Sequence, residues 1–80
     1  MPVDSVQEMI CRVLKALVEH PDEVQVRPIE GENTIVFEVQ VNSEDAGKVI
    51  GRKGRTINSL RTIIRAVSSL GNKKVMMELV

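Results

Sequence analysis

The sequence has very little of the residue types on which many binding and catalytic sites depend. Its 80 residues include one cysteine, one histidine and one aromatic residue. A single cysteine, Cys11, excludes an internal disulfide and a cysteine-based zinc site. Because Phe37 is the only aromatic residue, a surface that stacks nucleic-acid bases on aromatic rings is excluded as well. We therefore expect neither a metal nor a cofactor.

Long apolar runs and targeting segments are also missing. The longest apolar runs have three residues, as at residues 35–37, whereas a membrane-spanning helix needs about 20. The first residues lack the basic stretch and apolar core of a secretory signal. No nucleophile lies beside a base, and no carboxylates are paired in a basic setting. The sequence predicts one cytoplasmic domain over residues 1–80 that is not an enzyme.

The charged residues sum to zero but are unevenly distributed. Residues 1–45 contain three basic and ten acidic residues, a net charge of −7, whereas residues 46–80 contain eight basic and one acidic, a net charge of +7. This asymmetry indicates either an anionic partner on one side of the molecule or a basic helix that faces an acidic one within the fold.

Hydrophobic periodicity predicts three helices and three strands in the order α-β-β-α-α-β. The predicted helices cover residues 5–20, 44–50 and 55–70, and the predicted strands cover residues 24–29, 34–41 and 74–79. Three strands with the helices on one face make a two-layer α+β domain.

Particular residues mark the expected boundaries of these elements. Ser5 and Glu8 have the spacing of a capping box, and Ser43 is a candidate N-cap for the second helix. Pro28 cannot donate a hydrogen bond to a neighbouring strand, which favours an edge position for the first strand. Gly71 is expected to end the third helix.

The most informative segment covers residues 47–57 and reads GKVIGRKGRTI. In it, Gly51 and Gly54 enclose Arg52 and Lys53 in a turn between two predicted helices. Glycine allows a polymer to approach the main chain closely, and the free amides at the start of the next helix favour an anion. These residues indicate a clamp for a phosphate backbone, which positions a nucleic acid without reading its sequence.

Two other motifs fit this segment less well. A phosphate-binding P-loop that starts at Gly47 needs glycine at position 52 followed by Lys and Ser or Thr, but the residues there are Arg52, Lys53 and Gly54. A DNA-binding helix-turn-helix also joins two helices through a glycine-containing turn. Two basic residues inside a four-residue turn suit a backbone clamp better than a recognition helix.

The segment VIGRKGRTI at residues 49–57 resembles the signature of the KH domain, a Val/Ile-Ile-Gly-x-x-Gly-x-x-Ile core between two short helices. KH domains clamp the backbone of about four nucleotides with this GxxG loop. The predicted element order is similar to the prokaryotic, type II arrangement, and the resemblance covers nearly the whole chain. The small size resembles the stand-alone bacterial KH proteins of the KhpA family.

This resemblance implies a single KH domain over residues 1–80 that binds single-stranded RNA as a post-transcriptional regulator or RNA chaperone. It also implies a homodimer, and a larger Jag-type partner that carries its own KH domain. An alternative function is a protein-interaction module on the KH scaffold, with only weak RNA contact.

The expected RNA contacts are the GxxG residues and their neighbours. They are Lys48, Val49, Ile50, Gly51, Arg52, Lys53, Gly54, Arg55, Asn58 and Arg61. The resemblance places Val49 and Ile50 on the floor of an RNA groove, with the strand over residues 34–41 as its second wall. Arg61 lies on the same flank of the third helix as Asn58, where both face either a phosphate track or solvent.

The third helix also has a wide apolar face. Ile63, Ala66 and Leu70 extend this face beyond the stripe that one core needs. The arc is either covered by the first helix or forms a two-fold dimer contact, for which these three residues are the predicted interface.

Overall fold

The structure is a computed structural model that describes residues 2–67 and 73–80. Its helices are α1 (Val3–Leu17), α2 (Ala46–Ile50) and α3 (Arg55–Val67), and its strands are β1 (Gln25–Glu30), β2 (Thr34–Gln40) and β3 (Lys74–Leu79). This order confirms the predicted α-β-β-α-α-β arrangement and the type II KH fold. Within the described ranges, no helix is both long and apolar enough to cross a membrane.

The three strands form one mixed sheet in the order β1-β2-β3. Strands β1 and β2 are an antiparallel hairpin, whereas β3 runs parallel to β2. A parallel neighbour requires a long crossover, which α2 and α3 provide. Pro28 of β1 lies opposite Phe37 of β2. Strand β1 is an edge strand, as predicted, because proline has no amide hydrogen to donate to a further strand.

One face of the sheet packs against the helices. Phe37 of β2 is fully buried there, in one core cluster with the apolar stripes of α1 and α3. The core consists of Val6, Ile10, Leu14, Val24, Val26, Ile35, Phe37, Val39, Val49, Ile57, Leu60, Ile64, Val75 and Met77. On the other face, Glu38 of β2 lies 3.4 Å from Arg27 of β1. The alternation in β2 therefore separates a buried face from a polar one.

The first helix begins earlier and ends earlier than predicted. Pro2 is its N-cap, and the carbonyl oxygen of Pro2 accepts the amide hydrogen of Val6 at 3.0 Å. Ser5 therefore lies inside the first turn, and the predicted capping box is wrong. Glu8 instead accepts a hydrogen bond from Arg12 at 2.7 Å. The helix ends at Leu17, and the backbone of the next residue, Val18, is extended.

The start of the second helix also differs from the prediction. The side chain of Asn42, not that of Ser43, accepts the amide hydrogen of Glu44, at 2.8 Å. A short 3-10 turn, Ser43–Asp45, then precedes α2. The predicted end of the third helix at Gly71 lies outside the described residues.

Candidate nucleic-acid interface

Residues 51–54, the GxxG loop, join α2 to α3 with a backbone that few residues adopt. Gly51 has φ 76° and ψ 171°, a region occupied essentially by glycine alone, and Gly54 has φ 73°. The amide of Gly51 donates to Gly47 at 2.8 Å, and the amide of Gly54 donates to Gly51 at 3.1 Å. Both glycines of the motif therefore stand where the backbone requires them.

Lys53 has an unfavourable backbone conformation in the same loop. Its φ of 57° makes it the one non-glycine residue with a positive φ among those that the structure describes. An L-residue in this left-handed region is strained by about 1–2 kcal/mol because its Cβ approaches a carbonyl oxygen. The side chain of Lys53 is exposed, so packing does not explain a lysine here.

Replacing Lys53 by glycine is therefore expected to stabilise the fold. Lys53→Gly should raise the free energy of unfolding by about 0.5–1 kcal/mol, which is the strain relieved less the added chain entropy of glycine. The matched control is Arg52→Gly, which removes a cation from the same loop at a negative φ. Urea unfolding should show Lys53→Gly as the more stable of the two variants, and equal stability would contradict strain at this position.

Three cations in and beside the loop have no carboxylate partner among the residues that the structure describes. The side chains of Arg52, Lys53 and Arg55 are exposed, and none of them forms an ion pair within residues 2–67 and 73–80. The first turn of α3 begins at Arg55, whose amide donates to the carbonyl oxygen of Arg52, and it places the positive end of the helix dipole beside the loop. The loop therefore presents mobile charge and a helix N-terminus to an external anion.

Lys48 is engaged elsewhere, unlike the three loop cations. Its Nζ lies 2.9 Å from Oε1 of Glu19 and 4.0 Å from Oδ1 of Asp45. The side chain is still partly exposed. An RNA phosphate that bound Lys48 would therefore compete with two carboxylates.

The apolar pair before the loop is divided between the core and the surface. Val49 is fully buried, whereas Ile50 is 41% exposed. Val49 has no accessible surface with which to touch RNA, so its predicted contact is corrected to a core position. Ile50 alone remains available beside Gly51.

A groove of about 420 Å³ lies between α3 and the open edge of β3. From α3 it is lined by Asn58, Arg61, Thr62 and Arg65, and from β3 by Lys74, Met76, Met77 and Glu78. Three of these eight side chains are cationic and one is acidic. The structure therefore brings the predicted flank of α3 onto a concave surface with a net positive charge.

The second wall of this groove is β3, whereas the resemblance suggested the strand over residues 34–41. Strand β2 is central in the sheet, and its two edges are paired with β1 and β3. Its edges are therefore not open beside this groove. Sequence analysis missed Lys74, Met76 and Glu78 as lining residues. The consecutive cations Lys73 and Lys74 before the last strand are a local signal, but the parallel pairing that places them depends on the whole fold.

Arg61 connects the two walls of the groove. Its Nε donates to the carbonyl oxygen of Met77 in β3 at 3.2 Å, and its Nη1 donates to Oδ1 of Asn58 at 3.1 Å. The guanidinium is therefore held in place, which lowers the entropy that it would lose on binding. Arg61 has a structural contact in addition to its expected RNA contact.

Asp45 fixes the position of α2 relative to α1. It is 1% exposed, and its carboxylate accepts the amide hydrogens of Glu19 at 3.1 Å and His20 at 3.0 Å. Burial raises the pKa of Asp45, but these hydrogen bonds and the charges of His20 and Lys48 outweigh it, so the pKa lies below its ordinary value.

No cluster of acidic, histidine and cysteine side chains suited to a metal ion occurs in the described part of the chain.

A separate apolar surface, the α1–α3 face, consists of Val13, Leu17 and Ile63. These side chains are 36%, 41% and 47% exposed and line one shallow groove. Helix α1 therefore does not cover the apolar arc of α3, and it adds exposed apolar residues of its own. Ala66 is also exposed, whereas Leu70 lies outside the described residues.

The sequence matches one known family over most of its length. The family described as "KhpA/KhpB, KH domain" matches residues 7–79. This range includes the GxxG loop and both walls of the groove.

Individual proteins are similar over nearly their full length. One from Chlamydia muridarum (strain MoPn / Nigg) is 41% identical over 73 residues, which cover 91% of this chain and 94% of that protein. One from Clostridium acetobutylicum is 42% identical over 74 residues, covering 92% and 99%. One from Listeria monocytogenes serovar 1/2a is 36% identical over 74 residues, covering 92% and 97%. Each of the three is named RNA-binding protein KhpA.

Proposed function

Because the chain belongs to the KhpA/KhpB family of KH domains, we propose that it binds single-stranded RNA by clamping the phosphate backbone at residues 51–54. The observation that carries this proposal is the group of three exposed cations at the GxxG loop, which form no ion pair within the described residues and lie at the N-terminus of α3. Phosphate oxygens accept charge-assisted hydrogen bonds from such side chains and are favoured by the helix dipole.

The bases of the bound strand would lie in the groove between α3 and β3. The cations that line this groove are Arg61, Arg65 and Lys74. It has no aromatic side chain on which bases could stack, so binding depends on charge and hydrogen bonds. A backbone clamp of this kind suits a protein that acts on many RNAs, as a post-transcriptional regulator or RNA chaperone does.

Reversing the charge of the loop tests the proposal. The double variant Arg52→Asp/Lys53→Asp is expected to bind short single-stranded RNA about 100-fold more weakly, because two charge-assisted contacts are lost. The slope of log affinity against log salt concentration should fall by about 1.4 or more, since each contact to a single strand contributes about 0.7. Fluorescence anisotropy at several salt concentrations measures both quantities.

The matched control has the same change of net charge at a distance from the loop. Lys15→Glu/Arg27→Glu should bind RNA within about three-fold of wild type if contact at the loop, and not total charge, determines affinity. If RNA affinity fell equally in the two double variants, the net charge of the protein, and not contact at the loop, would determine that affinity. Absence of RNA binding by a folded wild type would overturn the proposal and favour the protein-interaction function.

We also propose that the α1–α3 face is the contact of a homodimer. A second copy is the occupant that the face favours, because its groove is mainly apolar and Arg55 is the one charged side chain among the described residues that line it. Two identical apolar faces of this kind can pack against each other about a two-fold axis. A dimer would carry two GxxG loops and raise RNA affinity through avidity.

A single charge in this face is expected to abolish the dimer. Ile63→Lys should sediment as a monomer at concentrations at which wild type is a dimer, because it buries an unpaired charge. The matched control is Ile29→Lys, which alters a residue of similar exposure (49% against 47%) on the open face of the sheet. Wild type that stays monomeric, or equal effects of both variants, would contradict this contact and leave the face to a different protein.

A further inference from the structure

The GxxG loop has a backbone conformation that is unfavourable for residues with a side chain. Three of its four residues have a left-handed φ, of 76°, 57° and 73° at Gly51, Lys53 and Gly54. Strained backbone persists only where the surrounding structure enforces it. The loop hydrogen bonds join Gly51 to Gly47, Gly54 to Gly51 and Arg55 to Arg52, and the last two close turns that contain Lys53. All three are main-chain bonds, and the loop also has a close side-chain contact at Gly51.

Thr56, in the first turn of α3, makes that contact. A Cβ built on Gly51 would lie 2.8 Å from the Cβ of Thr56 and 2.9 Å from its backbone nitrogen, and it would overlap the Oγ1 of Thr56. The side chain of Thr56 therefore fills the space beside Gly51 that a side chain would otherwise occupy. Thr56 is half-buried and also lines the α1–α3 face.

The hydroxyl of Thr56 differs from the other hydroxyls of this helix. Ser59 donates to the carbonyl oxygen of Arg55 at 2.7 Å, and Thr62 donates to that of Asn58 at 3.0 Å. Thr56 forms no such bond to the part of the chain that the structure describes. The fold thus uses the volume of this side chain against Gly51, and not its hydrogen-bonding capacity.

We propose that Thr56 is a positioning residue for RNA binding, which keeps the GxxG loop in its binding conformation by packing against Gly51. The inference rests on the proposed function, since it concerns the loop that would clamp RNA. Without this packing the loop would spend part of its time in relaxed conformations. The apparent affinity would then fall by the fraction of loops that remain competent.

Three substitutions separate shape from hydroxyl chemistry. Thr56→Val keeps the branched shape and removes the hydroxyl, Thr56→Ser keeps the hydroxyl and removes the methyl group, and Thr56→Ala removes both. Alanine has the higher helix propensity, so Thr56→Ala should not unfold α3. Ser59→Ala is the matched control, because it removes an exposed hydroxyl one turn further along the helix.

The first measurement needs no RNA. Backbone amide NMR spectra of the free protein should show altered or broadened signals of Gly51 and Gly54 in Thr56→Ala, and nearly unchanged signals in Thr56→Val and Ser59→Ala. Unchanged glycine signals in a folded Thr56→Ala would overturn the positioning role. This measurement decides the inference even if wild type binds no RNA, a result that would overturn the proposed function alone.

The second measurement is RNA affinity at several salt concentrations. Thr56→Ala should bind about five- to ten-fold more weakly with an unchanged salt slope, because the same contacts form from a smaller competent fraction. Thr56→Val should restore binding to within about two-fold of wild type. Restoration by Thr56→Ser and not by Thr56→Val would overturn the proposal, because the hydroxyl would then bind RNA directly. Equal binding by all variants would overturn it as well.

Discussion

Gly51→Ala is expected to lower the free energy of unfolding by about 2–5 kcal/mol, which combines backbone strain with overpacking. The φ of 76° and ψ of 171° at Gly51 are unfavourable for any residue with a Cβ. That Cβ would lie 2.9 Å from the backbone nitrogen of Thr56, in a helix that cannot shift freely. Because a domain of this size has a total stability of about 4–12 kcal/mol, urea unfolding should show a large fraction of it lost.

The other glycines of the segment serve as graded controls. At Gly47, which lies within α2, an added Cβ meets nothing within 4 Å. Gly47→Ala should therefore leave stability unchanged or raise it by up to about 1 kcal/mol, because alanine is the better helix former. At Gly54 the nearest atom is the Nδ2 of the Asn58 side chain, at 3.3 Å, so the backbone strain dominates the effect.

The order of the three effects is the decisive result. We expect Gly51→Ala to be the most destabilised, Gly54→Ala to be intermediate and Gly47→Ala to resemble wild type. If Gly51→Ala and Gly47→Ala unfolded at the same urea concentration, the close contact between Gly51 and Thr56 would be contradicted. RNA affinity of any Gly51→Ala protein that remains folded should fall as well, because the loop must open to admit the Cβ.

Local pattern predicted the elements of the fold, and tertiary contacts moved their ends. The alternation of Ile35, Phe37 and Val39 leaves one register for β2, because a shift by one residue would expose all three. The end of α1 depends instead on Asp45, distant in sequence, which binds the amides of Glu19 and His20. No local signal could locate that boundary.

Only part of the candidate site could likewise be predicted from the sequence. The GxxG loop can be predicted from the sequence, because only glycine tolerates the backbone conformation at Gly51. At that position the residue type therefore indicates the conformation. The sequence does not predict that Val49 is buried and Ile50 exposed, because the two residues are adjacent and both are apolar. The groove wall depends on the parallel pairing of β3, which the sequence of β3 alone does not encode.

The second large effect is expected at the buried carboxylate. Asp45→Ala should lower the midpoint temperature of unfolding by about 10–20 °C, because two part-buried amides lose a charged acceptor. These amides belong to Glu19 and His20, in the segment between α1 and β1. The same variant releases the start of α2, which precedes the GxxG loop. Thermal unfolding followed by circular dichroism measures the shift, and a shift below about 3 °C would contradict the anchoring role.

Asp45→Asn separates the charge of this side chain from its shape. The folded protein holds the pKa of Asp45 below its ordinary value of 3.8, which the unfolded chain retains. As pH falls, the carboxylate of Asp45 is therefore protonated in the unfolded chain before it is protonated in the folded protein. The stabilisation by Asp45 is complete above the unfolded pKa and is lost as pH falls through the folded pKa. The asparagine variant has no such loss, while every other carboxylate titrates alike in both proteins. The difference in midpoint temperature between wild type and Asp45→Asn should therefore be constant between about pH 5 and 7 and narrow below about pH 4. A difference that stayed constant to the lowest pH at which both proteins fold would contradict an ionised Asp45 at this position.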